Sequence, residues 1–245
     1  AGAVDGVTAV VALHVDPSLA VGRVAQCSGV MTAFCSDLRV SVRGLGGHAA
    51  RPHQSTDPIA AAVQFVAAAY QLVPRSVDAR EAAVVTFGSI HGGASANVIP
   101  ERVELLGTVR TLSLPAAAKV EERLRQIAQG LAGATGCEID VRFDRGVDAV
   151  VNDPAVTAVC ARAAAEVVGT DHVVPIELPS MGGEDFAGYL AHAPGCLLRL
   201  GVASDDRPRH LLHSPYFDID ERALGIGARV LARSVVLLCE QEVRP

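Results

Sequence analysis

Between residues 33 and 148 the spacing of apolar side chains changes from every second residue to every third or fourth and back again. The order it spells is strand, helix, strand, strand, helix, strand. Leu38, Val40 and Val42 alternate with Arg39, Ser41 and Arg43, the mark of a strand with one face in water. Asp57-Pro58 then puts a capping carboxylate ahead of a proline at the first helical position. Ile59, Val63, Val66, Tyr70 and Val73 recur at helical spacing until Pro74. Two strand-like stretches, 82–90 and 102–110, flank a loop rich in glycine. A second helix is predicted from about 115 to 131, with Val120, Leu124, Ile127 and Leu131 on one face, and a last strand carries Ile139, Val141 and Phe143. This is the split βαβ arrangement of a ferredoxin-like (βαββαβ) domain.

The flanks read differently. Residues 7–14 form a short apolar run rich in β-branched side chains, expected as a strand buried on both faces and ending at His14. Asn152-Asp153-Pro154 marks another capped helix start, with the helix reaching about Val168. A strand is expected over 196–200 and a helix over 221–240. The chain is therefore read as α/β with two domains, the module 33–148 being inserted into a second domain made of residues 1–32 and 149–245. The two or three strands visible in that outer domain are fewer than an α/β sheet normally holds, so it is read as incomplete.

Charge and composition narrow the function. With 27 acidic and 21 basic residues the net charge is -6, which argues against nucleic acid as a partner. No apolar run reaches the length of about 18 residues that a membrane span needs; residues 223–239 come nearest and carry Arg229 and Arg233 at helical spacing. The six cysteines show no CxxC spacing, which suits small buried thiols in a reducing, cytoplasmic setting.

Two motifs fail on context. Gly44-Leu-Gly46-Gly-His-Ala49 matches the dinucleotide fingerprint GxGxxA, but Pro52 follows and no helix opens there. Gly93-Ala-Ser95-Ala-Asn97 lacks the last glycine of a serine-hydrolase elbow. The histidines carry more. His14, His48 with His53, and His213 stand where strands or loops end, and in open α/β folds ligands bind at the carboxyl ends of strands. Two neutral imidazoles from distant parts of one sheet can converge on a metal, but two ligands do not complete a zinc site.

Several motifs then occur in order: Gly46-Gly47-His48-Ala49-Ala50-Arg51-Pro52-His53 with Asp57-Pro58-Ile59, Ala96-Asn97-Val98-Ile99-Pro100, Gly107-Thr108-Val109-Arg110-Thr111, Met181-Gly182-Gly183-Glu184-Asp185-Phe186, and Leu212-His213-Ser214-Pro215. Ala3-Val4-Asp5-Gly6-Val7 and Leu13-His14-Val15 fit the same series. Together they resemble the M20 metallopeptidases, in particular the amidohydrolase branch that cleaves N-acyl amino acids, such as hippurate hydrolase and auxin-conjugate hydrolase. The likeness runs over essentially the whole chain.

The resemblance implies a zinc-peptidase-like catalytic domain with a lid and dimerisation domain inserted in it. It implies two divalent metal ions, zinc or manganese, with His14 and His213 as two of their ligands. It makes His48 a catalytic lid histidine that reaches the partner subunit's site and steadies the oxyanion as metal-bound hydroxide attacks the amide. Asn97 and Arg110 match groups that hold the substrate's carbonyl and free carboxylate. Gly182, Gly183 and Glu184 line the substrate pocket, although from the residues alone that segment reads equally as a glycine turn with acids at a helix N-terminus. Arg110 alone reads as a surface charge at a strand end, and His53 as a residue that fixes its loop.

The family's cysteine and histidine ligands, its metal-binding glutamate and the adjacent glutamate base match nothing here, because all of them precede the position of Ala1. The expectation is a C-terminal part of a longer N-acyl amino acid amidohydrolase, a homodimer through its lid and inactive as given. The alternative is a non-catalytic dimerisation or binding fragment.

Overall fold

The computed structural model describes residues 2, 4–204, 206 and 209–240. Ala3, in the Ala3-Val4-Asp5-Gly6-Val7 motif, lies outside them. In chain order the elements are β1 (Val10–Ala20), β2 (Val24–Gln26), β3 (Gly29–Val30), β4 (Phe34–Arg43), β5 (Gly47–His48), α1 (Pro58–Leu72), β6 (Ala83–Gly92), β7 (Val98–Ile99), β8 (Arg102–Thr111), α2 (Leu114–Thr135), β9 (Glu138–Arg145), β10 (Val151–Asn152), α3 (Pro154–Val168), β11 (Val173–Pro175), α4 (Ala187–Leu190), β12 (Gly195–Ala203) and α5 (Arg222–Glu240). Two compact units result: Ala1–Thr32 with Ala149–Ser180 and Glu184–Pro245, and Ala33–Asp148 with Met181–Gly183.

The first unit holds a four-stranded sheet in the order β1-β12-β2-β11. The strand expected to be buried on both faces is instead an edge strand, for β1 pairs only with β12 and is half-buried along most of its length. The doubly buried strand is β12, where Cys196, Leu198 and Leu200 face one core and Leu197 the other. The β1–β12 ladder runs in parallel register from Val10 to Asp16 and shifts only beyond it, so His14 sits inside the strand and not at its end. Pro17 has no N–H to donate, which an edge strand tolerates. Beyond the strands expected, β2 and β11 complete the sheet; at three residues each they are too short to show a period. Helices α3 and α5 pack on each other, with Val156, Cys160 and Ala164 meeting Ala223 and Val230 in one core.

In the second unit β6-β8-β4-β9 form an antiparallel sheet, and α1 and α2 contribute to one core against it. Leu38, Val40 and Val42 point into that core as their alternation predicts. The Asp57 carboxylate accepts from the Ile59 and Ala60 N–H groups at 2.9 and 3.4 Å, and Ser113 caps α2. The buried face of α1 differs from expectation. Ala61, Ala62, Phe65 and Ala69 pack inward, while Ile59, Val63 and Tyr70 remain exposed, Val63 by 61%. Ala61, Ala62 and Ala69 let the helix approach the sheet closely around Phe65, and of the expected stripe Val66 and Val73 also pack against this core.

Candidate functional site

In the first unit the site begins with the His14 ring. Nδ1 lies 2.8 Å from the Val15 carbonyl oxygen. A carbonyl only accepts, so Nδ1 carries the proton and the neutral ring presents the bare Nε2 outward. Nε2 stands 3.8 Å from Oε2 of Glu184, too far for a hydrogen bond. The other Glu184 oxygen accepts from the Phe186 N–H at 3.4 Å, just ahead of α4. An imidazole fixed by a backbone carbonyl with its second nitrogen free is how proteins orient a metal-ligating histidine.

His213 occupies a turn in which the Ser214 N–H donates to the Leu211 carbonyl at 3.2 Å. Its φ is 66°, the sole positive value at a non-glycine position among the described residues. That conformation costs on the order of 1 kcal/mol for a residue with a Cβ and tends to collect at functional positions. No hydrogen bond or ion pair joins its ring to His14 or Glu184 among the described residues. In kind these donors fit a divalent cation. In number they do not, because no group of three or more His, Cys, Asp or Glu side chains stands together among the described residues, and a metal centre takes three or four.

In the second unit His48 lies on β5, paired with Val98 of β7. Its Nδ1 accepts from the Ala50 N–H at 3.1 Å, which leaves the neutral ring's proton on Nε2, a donor available to a ligand. Asn97 shares with it a recess of about 520 Å³ that Gly46, Gly47 and Ile99 also line. The Asn97 side-chain oxygen accepts from the Ser95 hydroxyl at 2.6 Å, so its NH2 group is the end left to donate. The dinucleotide-like glycines serve this close packing. A Cβ on Gly44 would stand 2.1 Å from the Thr56 carbonyl oxygen, and one on Gly46 3.0 Å from that of Ile99.

Arg110 stands apart, near the end of β8, where its guanidinium donates to the Thr108 hydroxyl at 2.6 Å. Gly182 accepts from the Ala33 N–H at 3.1 Å, and Gly183 has no room for a side chain: a Cβ would lie 2.7 Å from a Val147 methyl and 3.0 Å from the Cys35 sulfur. His53 sits exposed in a 3-10 turn, away from any recorded side-chain partner. One residue passed over in the sequence, Arg199, is the register neighbour of His14 across the β1–β12 ladder. The signal was present, as a lone charge inside the apolar run Cys196-Leu-Leu-Arg199-Leu200.

Residues 2–236 match the description of Peptidase family M20/M25/M40. The N-acetyldiaminopimelate deacetylase of Enterococcus faecalis is 38% identical over 224 residues, which is 90% of this chain and 57% of that protein. The N-acetyl-L-cysteine deacetylase of Bacillus subtilis is 37% identical over 223 residues, 91% of this chain and 52% of that protein. Among solved structures, the Bacillus subtilis YXEP protein, a dinuclear metal binding peptidase from the M20 family, superposes with a TM-score of 0.77 at 29% identity, covering 98% of this chain and 59% of that one. The chain thus spans little more than half the length of these relatives.

Proposed function

The chain belongs to peptidase family M20/M25/M40, and on that footing we propose that it forms part of an amidohydrolase cleaving the amide bond of N-acyl amino acids. The observation that carries this reading is the His14 ring, held by Val15 so that Nε2 faces Glu184 across 3.8 Å. His14 and His213 are this chain's share of the ligands for two divalent ions, zinc or manganese. The relative described as a dinuclear metal binding peptidase supports that number. When bound, such a cation supplies Lewis acidity toward the amide carbonyl and makes water a nucleophile at neutral pH.

The second unit acts in this reading as a ferredoxin-like lid. Its βαββαβ order and β6-β8-β4-β9 sheet support that assignment. His48, with its proton on Nε2, donates to the amide oxygen as negative charge develops there. The Asn97 amide holds the carbonyl, and the planar fork of Arg110 takes the substrate's free carboxylate. Gly182, Gly183 and Glu184 line the substrate in this reading, and Gly183 has no room for a side chain. Because no three candidate ligands stand together among the described residues, the 245 residues alone are read as a fragment without turnover.

The test is release of acid from several N-acyl amino acids by the complete gene product. Turnover is expected to vanish with chelator and return with zinc or manganese, while the 245-residue chain alone stays inactive. No turnover by the complete product on any of the set overturns the reading.

The lid is also proposed to pair two copies into a homodimer. Strand β6 has a partner on one side only, and Ile59, Val63 and Tyr70 of α1 with Ile90 of β6 leave an apolar surface in the same unit. Each of these side chains is already partly covered, so closing it off contributes about 1 kcal/mol. Light scattering is expected to show a dimer for the wild type and a monomer for Val63→Asp; a wild-type monomer at micromolar concentration counts against the pairing.

A further inference from the structure

Strand β12 is buried at every position except one. Gly195 to Leu198 and Leu200 to Ala203 are closed off, and Arg199 alone is half-buried between them. Residues directly opposite in a ladder share a face, so Arg199 projects on the same side of the sheet as His14, its register partner. That side is the one Leu197 also faces, away from the core formed by α3 and α5.

A guanidinium set into such a strand needs a counter-charge or hydrogen bonds to offset its lost hydration. Among the described residues Arg199 has neither an ion pair nor a side-chain hydrogen bond. Asp16 lines the same pocket but forms no ion pair with Arg199; its Oδ1 accepts from the Ser18 N–H at 2.8 Å and the Ser18 hydroxyl at 2.6 Å. Burial holds the Cys27 thiol above its ordinary range, with the Arg199 charge working against it, so no anion is offered there either.

Arg199 lines a pocket of about 230 Å³ whose walls include Val15, Asp16, Ile176, Leu178 and Leu212. Val15 and Asp16 follow His14 in the chain, and Leu212 precedes His213. The pocket is smaller than the roughly 300–1,000 Å³ of a whole small-molecule site, so it admits one end of a ligand. One planar fork in a pocket whose wall also carries Ile176, Leu178 and Leu212 suits a carboxylate on a short hydrocarbon stem.

We propose that Arg199, register neighbour of His14 and lining a pocket with Leu212, binds a second carboxylate of the substrate, distinct from the one assigned to Arg110. This deepens the amidohydrolase reading and rests on it for the word substrate; the pocket's preference for a carboxylate stands by itself. The second carboxylate comes either from an acidic amino-acid side chain or from the far end of a dicarboxylic acyl group.

Binding is tested first on the 245-residue chain in the presence of chelator, with pentanoate and its neutral counterpart pentanamide as probes. Pentanoate is expected to bind at least about tenfold more tightly, and Arg199→Met to abolish that preference while Arg199→Lys keeps part of it. Equal binding of the two probes by the wild type, or a preference that survives Arg199→Met, overturns the proposal. The second measurement compares kcat/KM of the complete gene product on N-acetyl-leucine, N-acetyl-glutamate and N-glutaryl-leucine. Arg199→Met is expected to cost one of the two diacids at least about tenfold more than N-acetyl-leucine, mainly through KM, and the diacid affected names the source. A uniform effect on all three overturns the substrate role. Absence of turnover by the wild type sinks the amidohydrolase reading instead, and the probe binding then judges Arg199 alone.

Discussion

Replacing Asn152 with alanine is expected to lower the stability of the chain by about 3 kcal/mol or more. Asn152 is fully buried, and its side chain is used at every polar atom. The NH2 group donates to the carbonyl oxygens of Cys27 at 2.9 Å and Leu197 at 3.0 Å, and the side-chain oxygen accepts from the Leu197 N–H at 2.8 Å. One amide thus stands in for a neighbouring strand along the middle of β12 and ties it to the turn ahead of β3. Alanine leaves three backbone groups without partners in a closed core, each costing about 1–3 kcal/mol unless water enters. Asn152→Asp is expected to be as damaging, since a carboxylate has no donors for the Cys27 and Leu197 carbonyls. Urea unfolding of the variants checks this, and a loss under about 1 kcal/mol for Asn152→Ala means that these bonds are replaced at little cost.

Asn152 also shows where sequence reading stops. In Asn152-Asp153-Pro154 the helix start was legible, and Asp153 does cap α3 through the Ala155 and Val156 N–H groups at 2.8 and 2.9 Å. Caps are local, so they are written in neighbouring residues; Asp57 was readable for the same reason, whereas Ser113 and the left-handed Gly136 that bound α2 come from the structure. The partner of Asn152 is Leu197, and nothing near Asn152 announces it. The strand over 7–14 was expected to be enclosed on both faces and lies at the sheet edge by the same limit: 7–14 and 196–200 are both apolar runs, and only pairing decides which of them is enclosed. On α1 two stripes of apolar residues compete. The sheet takes Phe65 together with Ala61, Ala62 and Ala69, whose small side chains allow close approach, a choice that periodicity does not weigh. Within the site, the resemblance singled out His14 and Glu184 separately. Their 3.8 Å approach and the Val15 carbonyl that sets the His14 tautomer are three-dimensional facts.

The second large effect separates stability from function at one residue. His213 holds φ at 66°, a backbone conformation that glycine adopts freely and alanine does not. His213→Gly removes the imidazole and the strain together; His213→Ala removes the imidazole and keeps the strain. If the turn is strained to aim a ligand, both variants are expected to lose activity of the complete gene product by about a thousandfold or more, as loss of a group acting at the reacting centre does. Their stabilities are expected to part company, with His213→Gly about 1 kcal/mol more stable than His213→Ala in urea unfolding, at equal metal content. His213→Asn is expected to fall between them, because asparagine enters the left-handed region more easily than alanine. Equal stability of the glycine and alanine variants means that the turn relaxes when the ring is gone, and the ring itself then imposes the conformation. Full activity in any of the three removes His213 from the ligand set and leaves its strained backbone without a catalytic reason.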